Sequence, residues 1–214
     1  MYDQTINRTL TDLGSSSAAP GSGACCALTL SLAVEAQASQ LALTLERDVL
    51  KEHRAFHENL RVRIEKLRAV AREAYAKDCK AFGAVVVHRT NRDNATLPGE
   101  RREHVKREIT CLDEANGVLI ELITAASEIA GLAVEMYESK GISRAKGEAS
   151  VAKFLAQACS NACADILALN VETLLRRRND YDTAIQGQDR YSAIIDLIPD
   201  SEAKGRLQAV VAKI

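Results

Sequence analysis

The 214-residue chain contains no tryptophan, and aromatic residues make up only 4% of it. A hydrophobic core without large rings must be built from Ala, Leu, Val and Ile, which favours closely packed helices. The scarcity of aromatic rings also argues against a protein that stacks exposed nucleic-acid bases. The formal net charge is −1, from 28 basic and 29 acidic residues, so no long-range attraction to nucleic acid or to a membrane surface is predicted.

Proline is scarce as well and occurs only at positions 20, 98 and 199. The long intervals between these positions lack the strongest helix breaker, and the strict alternation typical of strands is rare. The best strand candidate, residues 84–87, is only four residues long. The sequence therefore predicts an all-α fold, a long antiparallel helix bundle that forms one domain over residues 1–214. Apolar length left exposed on such helices predicts a homodimer.

The hydrophobic periodicity divides the chain into seven expected helices, over residues 3–13, 24–45, 48–90, 99–139, 148–178, 190–197 and 201–213. The second helix is apolar on nearly every side, and its length is that of a transmembrane span. Because Glu35, Gln37 and Gln40 interrupt it, we interpret it as a central helix packed by neighbours all round. No membrane partner is expected.

Six cysteines lie within apolar runs rather than in a framework of loops. This pattern predicts reduced thiols, and the polar first residues show no targeting signal, so a cytoplasmic protein is expected. Cys159 and Cys163 would share a helix face, but no matching His or Cys pair lies nearby in the sequence. We therefore expect small buried residues there and no metal site.

The helix predicted over 48–90 carries a stripe of buried positions, and Asp78 occupies one of them, four residues before Phe82. A carboxylate in such a place is desolvated, which raises its pKa and suits it to proton transfer near neutral pH. The alternative is an ordinary helix-face aspartate that pairs with Lys77 or Lys80. Periodicity alone leaves both interpretations open.

Two further carboxylates are candidates for a site. Glu35 lies inside the apolar second helix, where it needs a partner or a ligand. Glu148 begins the helix after the connection 140–147, where an acidic residue compensates the helix dipole in any protein.

Residues 19–24 read Ala-Pro-Gly-Ser-Gly-Ala and form a turn that opens directly into the second helix. Gly21 and Gly23 leave backbone N–H groups unshielded, and the positive N-terminal end of the helix points at the same place. Such a loop can bind an anionic or planar ligand, and it can equally be a plain helix start.

Six sequence elements follow one another in an order that matches a known family. The family has a Ser-rich lead, a Pro-Gly-Gly-Gly loop, an Ala-rich helix that ends in Leu-Thr, an Asp-x-x-Ala-Phe element, a Gly-Asn-x-(Asn/Ala)-x-x-Ser-Asp element and an Asn-Val-x-x-Asn element. The corresponding residues here are 15–17, 20–24, 43–44, 78–82, 141–148 and 166–170. In this order and spacing the chain resembles the cyclodeaminase/cyclohydrolase family, which includes methenyltetrahydrofolate cyclohydrolases and the C-terminal domain of formiminotransferase-cyclodeaminase.

The resemblance implies an all-helical, metal-free dimer that needs no cofactor and binds a reduced folate as its substrate. The implied reaction is hydrolysis of 5,10-methenyltetrahydrofolate to 10-formyltetrahydrofolate, or cyclodeamination of 5-formiminotetrahydrofolate. In both, a carboxylate moves a proton at N5, N10 or the bridging carbon. Asp78 and Glu148 stand at the expected catalytic positions. The expected substrate-binding residues are Pro20, Gly21, Ser22, Gly23, Glu35, Arg47, Phe82 and Asn170.

Several expected ligand contacts differ from the family pattern. Ser22 replaces the middle glycine of the loop, and Glu35 replaces a small residue in the helix behind it. Residues 45–48 replace a basic Gly-Lys-Lys-Lys-Tyr run and retain one cation, Arg47. Three hypotheses follow: a one-carbon folate enzyme, an enzyme with a rebuilt pocket for another amidine or cyclic imine, or a catalytically silent binding dimer.

Overall fold

Long helices make up most of the computed structural model, which describes residues 6–17, 19–181 and 188–214. Within these ranges there are α-helices, two 3₁₀ turns and a π turn but no strand, so the predicted all-α fold is confirmed. The helices are α1 (Ile6–Leu13), α2 (Ser22–Leu45), α3 (Arg54–Asn94), α4 (Pro98–Glu135), α5 (Lys146–Tyr181), α6 (Gln188–Ile195) and α7 (Ser201–Val211). The turns are Asp48–His53, Met136–Lys140 and Ser143–Ala145. Residues 3–5 of the first predicted helix lie outside the described ranges.

Helices α2 to α5 form an antiparallel bundle in which α2 and α4 each pack against both α3 and α5. The direction of α5 against α2 follows from two contacts. The Cys159 thiol lies 3.3 Å from the carbonyl oxygen of Cys26 near the start of α2. The N–H of Ile142 lies 3.5 Å from the Thr44 hydroxyl near the end of α2. Helix α7 packs on α5, and α6 packs on α4 and α7.

Local signals in the sequence define several helix starts. Pro98 stands in the first turn of α4, where its missing N–H leaves no hydrogen bond unmade. Asp200 caps α7, because its carboxylate accepts hydrogen bonds from the N–H groups of Glu202 and Ala203. The core between the helices consists mainly of Ala, Leu, Val and Ile, as the absence of tryptophan predicts.

One prediction about α3 is confirmed and another is wrong. Residues 84–87, the best strand candidate, lie inside α3, as the helix predicted over 48–90 implies, because a proline-free stretch of 41 residues packs as one helix despite the local preference of three valines. Ala81 takes the buried position after Asp78, and Phe82 is only half-buried. Because a helix has 3.6 residues per turn, the buried positions along a stripe are separated by three or by four residues. The sequence pattern did not show which of the two steps follows Asp78.

The environment predicted for α2 is also wrong. Only one face of α2 is buried, and Leu32 on the other face is 55% exposed. By length and composition alone, Ser22–Leu45, Pro98–Lys140 and Ser143–Arg177 could each cross a membrane, and 44–50% of each apolar window is buried inside the protein. About half of each window is therefore exposed or only partly buried, and the absence of a membrane partner remains a prediction.

Candidate functional site

The start of α2 packs against α3 at Asp78. Asp78 is only 4% exposed, and its carboxylate accepts a hydrogen bond from the backbone N–H of Ala24. A Cβ atom added to Gly23 would lie 2.1 Å from Oδ1 of Asp78. A side chain at residue 23 would therefore displace the carboxylate. The glycine loop and Asp78 are therefore in direct contact.

Burial raises the pKa of Asp78 from its ordinary value of 3.8 to about 6, while the Ala24 N–H acts in the opposite direction. Its Oδ2 atom is buried and has no hydrogen-bond partner among the described residues. Lys77, one of the two partners considered for Asp78, pairs with Glu73 and Glu121 instead. The carboxylate is thus a desolvated group near the positive end of a helix, which suits it to exchange a proton near neutral pH.

Thiols form part of the surroundings of Asp78, which the sequence pattern did not indicate. The hydrogen bond with Cys163 lowers the pKa of the Cys26 thiol, while burial and the nearby charge of Asp78 act in the opposite direction. Cys163 is fully buried, and hydrogen bonds with Cys159 and Cys26 raise its pKa well above the ordinary value. Thiols are weak hydrogen-bonding groups, so Cys26 contributes little to the solvation of the carboxylate.

The other residues of the loop lie at its rim. Gly21 is the N-cap of α2, with φ −108° and ψ −160°, and its carbonyl accepts the N–H of Cys25 at 3.1 Å. Pro20 and Gly21 are half-buried, whereas Ser22 is exposed. The side chain that replaces the family's middle glycine therefore stands on the solvent side of the loop.

Two predicted binding residues lie farther along the same helices. Phe82 is half-buried and stands one helical turn after Asp78 on α3. Asn170 on α5 donates its amide to Oδ1 of Asn116 at 2.8 Å, and the Asn116 amide lies 3.2 Å from the Tyr191 hydroxyl. Asn116 is completely buried and was not predicted.

The second predicted catalytic residue does not join Asp78 within one chain. Glu148 is half-buried in the first turn of α5. It precedes Cys159, the residue that touches Cys26, by eleven residues, which is about 16 Å of helix. Glu148 therefore lies at the other end of the bundle from the glycine loop.

Arg47 belongs to that other end too. It lines a cavity of about 470 Å³ together with Leu50 and residues 141–144. The absent Cβ of Gly141 would lie 2.8 Å from Nε2 of the buried Gln40, so the chain passes close to the end of α2 here. Arg144 provides a second cation in this cavity, which the comparison of motifs did not reveal.

The structure corrects the environment expected for Glu35. It follows Gly23 by twelve residues, or about 18 Å along α2, and it is exposed. Arg68 of α3 binds both carboxylate oxygens, with distances of 2.7 and 2.6 Å. The hydrogen bond from Arg68 lowers the pKa of Glu35. The partner that this carboxylate needs is an arginine of the next helix.

Comparisons with known proteins agree with the motif order. The family model described as formiminotransferase-cyclodeaminase matches residues 5–185. A search among curated proteins gives no sequence match to this chain. Among solved structures, formiminotetrahydrofolate cyclodeaminase from Thermotoga maritima is similar in fold, with a TM-score of 0.66 and 15% identity over 99% of this chain and 94% of that chain. Since the family match covers most of the chain, the protein belongs to the formiminotransferase-cyclodeaminase family.

Proposed function

We propose that the protein is a cytoplasmic enzyme of one-carbon folate metabolism whose substrate is a tetrahydrofolate derivative. The reaction is hydrolysis of 5,10-methenyltetrahydrofolate or cyclodeamination of 5-formiminotetrahydrofolate. Family membership supports this class of substrate. The observation that carries the proposal is the buried carboxylate of Asp78, held against Gly23 and the backbone N–H of Ala24 in the first turn of α2.

Both reactions require a group that takes a proton from a nucleophile and returns one to a leaving nitrogen. In the hydrolysis, water adds to the methenyl carbon before one C–N bond opens. In the cyclodeamination, N10 attacks the formimino carbon and ammonia leaves. Asp78, with its pKa of about 6, is mainly ionised at pH 7 but readily holds a proton, so it can serve as base and then as acid. Its negative charge also favours a cationic amidinium-type bridge beside it.

We further propose that two copies of the chain complete the site. The residues predicted to act together fall into two groups, one at Asp78 and one at Arg47 and Glu148, on opposite ends of α2. Thr44, near Arg47, follows Gly23 by 21 residues or about 31 Å of helix, and Glu148 lies about 16 Å of helix from the contact of Cys159 with Cys26. A two-fold axis that crosses α2 and α5 would bring the Asp78 end of one protomer to the Arg47 end of its partner.

Exposed apolar residues support this dimer face. Leu32 of α2 and Val151, Phe154 and Leu169 of α5 are each more than half exposed, although these two helices pack side by side. A second copy would cover them, in the way that homodimer interfaces bury apolar surface.

The test is an assay with both folates, followed through the near-ultraviolet absorbance of the methenyl form. Hydrolysis removes this absorbance, whereas cyclodeamination generates it and releases ammonia. We expect the wild-type protein to accelerate one of the two, and Asp78→Asn to lose roughly 10²- to 10⁴-fold of that rate. The matched control is Asp196→Asn, because the Asp196 side chain is 91% exposed.

A second candidate is the hydrolysis of a non-folate amidine or cyclic imine by the same carboxylate. The observation that favours it is the single cation retained at residues 45–48, where the family pattern has a lysine run. A protein that accelerates neither folate reaction, but binds such a compound in a way that Asp78→Asn abolishes, would favour this candidate.

A further inference from the structure

A second polar cluster lies where α3 ends, α4 begins and α5 ends. Its centre is Glu108 of α4, which is completely buried. Arg92 of α3 forms a close ion pair with Oε2 of Glu108. Nε of Arg89 lies 3.3 Å from Oε1, and Nε of Arg177 on α5 lies 3.6 Å from Oε2. One carboxylate therefore holds arginines of two other helices.

The cluster contains four arginines among the described residues. Glu108 pairs with Arg89, Arg92 and Arg177, and Asp93 pairs with Arg92 at 2.8 Å. Arg176 is the fourth, and its Nη2 lies 3.5 Å from the Thr173 hydroxyl. Arg177 makes a further interaction besides its pair with Glu108.

Three of these arginines line a cavity. Arg89, Thr173, Arg176 and Arg177 line a space of about 300 Å³, and none of these four lining residues is acidic. Guanidinium groups bind phosphate and carboxylate oxygens through paired N–H donors, and a threonine hydroxyl supplies a further donor. Arg89 and Arg177 each pair with the buried Glu108. These pairs restrict the two side chains, so their N–H donors are already oriented before a ligand binds.

This cavity is separate from the aspartate site. Arg89 follows Asp78 by eleven residues, which is about three turns and 16 Å along α3. The family motifs in this chain include none of the four lining residues. The cavity therefore needs an explanation of its own, whichever reaction Asp78 performs.

We propose that the pocket formed by Arg89, Thr173, Arg176 and Arg177 binds an oxyanion ligand that carries two or more negative charges. The shared chemistry is a cluster of phosphate or carboxylate oxygens. A phosphate ligand and a polycarboxylate ligand would use the same donors, and two probes distinguish them.

Isothermal titration with pyrophosphate and, separately, with citrate tests this proposal. We expect one of the two to bind the wild-type protein, with a Kd that rises about tenfold in Arg176→Gln because one charge-assisted contact is lost. Arg176 is exposed and makes no ion pair with Glu108 that would be needed for folding, and a thermal melt of the variant checks this point. Thr173→Val should weaken binding less, because it removes a neutral donor.

The matched control is Arg61→Gln, an exposed arginine of the same helix that precedes Arg89 by 28 residues, or about 42 Å. This variant should bind the anion as the wild type does. Binding of pyrophosphate alone identifies a phosphate ligand, and binding of citrate alone identifies a polycarboxylate. The proposal is overturned if neither probe binds at low salt, or if Arg61→Gln weakens binding as much as Arg176→Gln.

Discussion

Asp78 holds its proton more tightly in the folded chain than in the unfolded chain, because burial raises its pKa from 3.8 to about 6. The unfolded state therefore gains from ionisation as the pH rises between these values, and the folded state does not. Stability should fall from about pH 4 to pH 6 and stay level above that range. The site thus carries a carboxylate at the expense of stability, as functional groups often do.

We predict that Asp78→Asn stabilises the protein at pH 7.5 by on the order of 2–3 kcal/mol, since each pKa unit corresponds to about 1.4 kcal/mol. The gain should shrink as the pH falls towards 4, where the wild-type carboxyl is protonated when folded. Urea unfolding at pH 4.5 and pH 7.5 measures the difference. A variant that is less stable than the wild type at pH 7.5 would contradict the burial cost.

Gly23→Ala should reduce activity, although alanine is the better helix former by about 1 kcal/mol. The new Cβ would lie 2.1 Å from Oδ1 of Asp78, so the carboxylate must move. Gly205→Ala is the control, because Gly205 is an exposed position of α7 with nothing within 4 Å of an added Cβ. The control should gain stability, measured by thermal unfolding. Full activity in Gly23→Ala would show that the contact is unimportant.

The position of Asp78 on a buried stripe could be predicted from periodicity, because a helix repeats its inward face every three or four residues. The contact between Asp78 and Gly23 could not, since it depends on which two helices pack together. The same holds for Cys26 and Cys163, which are 137 residues apart in the chain. Sequence order and the family motifs placed these groups on helices, but only packing placed them beside one another.

At the scale of the helices, Glu108 joins three elements of the bundle, α3, α4 and α5. We predict that Glu108→Gln lowers the free energy of unfolding by about 3–5 kcal/mol, because it removes the buried charge that pairs with the buried Arg92. Glu103→Gln is the control on the same helix, since Glu103 and Arg107 form an exposed i,i+4 pair worth about 0.5 kcal/mol at most. Equal effects of the two substitutions, measured by urea unfolding, would refute this assignment.

The predicted helix order was correct, whereas the predicted surroundings of some helices were not. The three valines at 85–87 favour a strand locally, but the proline-free length of α3 decides the outcome. The sequence predicts that Glu35 needs a partner or a ligand, because α2 is expected to be packed on all sides. Its partner Arg68 lies on α3, 33 residues away, and no local pattern pairs these two residues.

At the scale of the whole molecule, the proposed dimer makes a prediction about mixed protomers. Asp78→Asn and Glu148→Gln chains should each be nearly inactive alone. When they are unfolded together and refolded, about half of the dimers contain one chain of each kind, and one of their two sites is intact. Activity should therefore return to about a quarter of the wild-type value.

Light scattering provides the control for this experiment, because a dimer has twice the chain mass of 23.2 kDa. A protein that is dimeric but shows no recovery in the mixture would mean that Asp78 and Glu148 do not act in one site. If the protein is fully active as a monomer, the proposal that two chains complete the site is wrong.

The central claim is that the buried Asp78 exchanges a proton with a folate substrate. The pH dependence of kcat/KM for the folate reaction that the protein accelerates tests this claim most directly. We predict that kcat/KM falls below an apparent pKa of about 6, the value of the buried carboxyl, and that Asp78→Asn gives a low rate without this transition. The claim would be contradicted if wild type and Asp78→Asn showed the same pH transition and the same maximal value of kcat/KM.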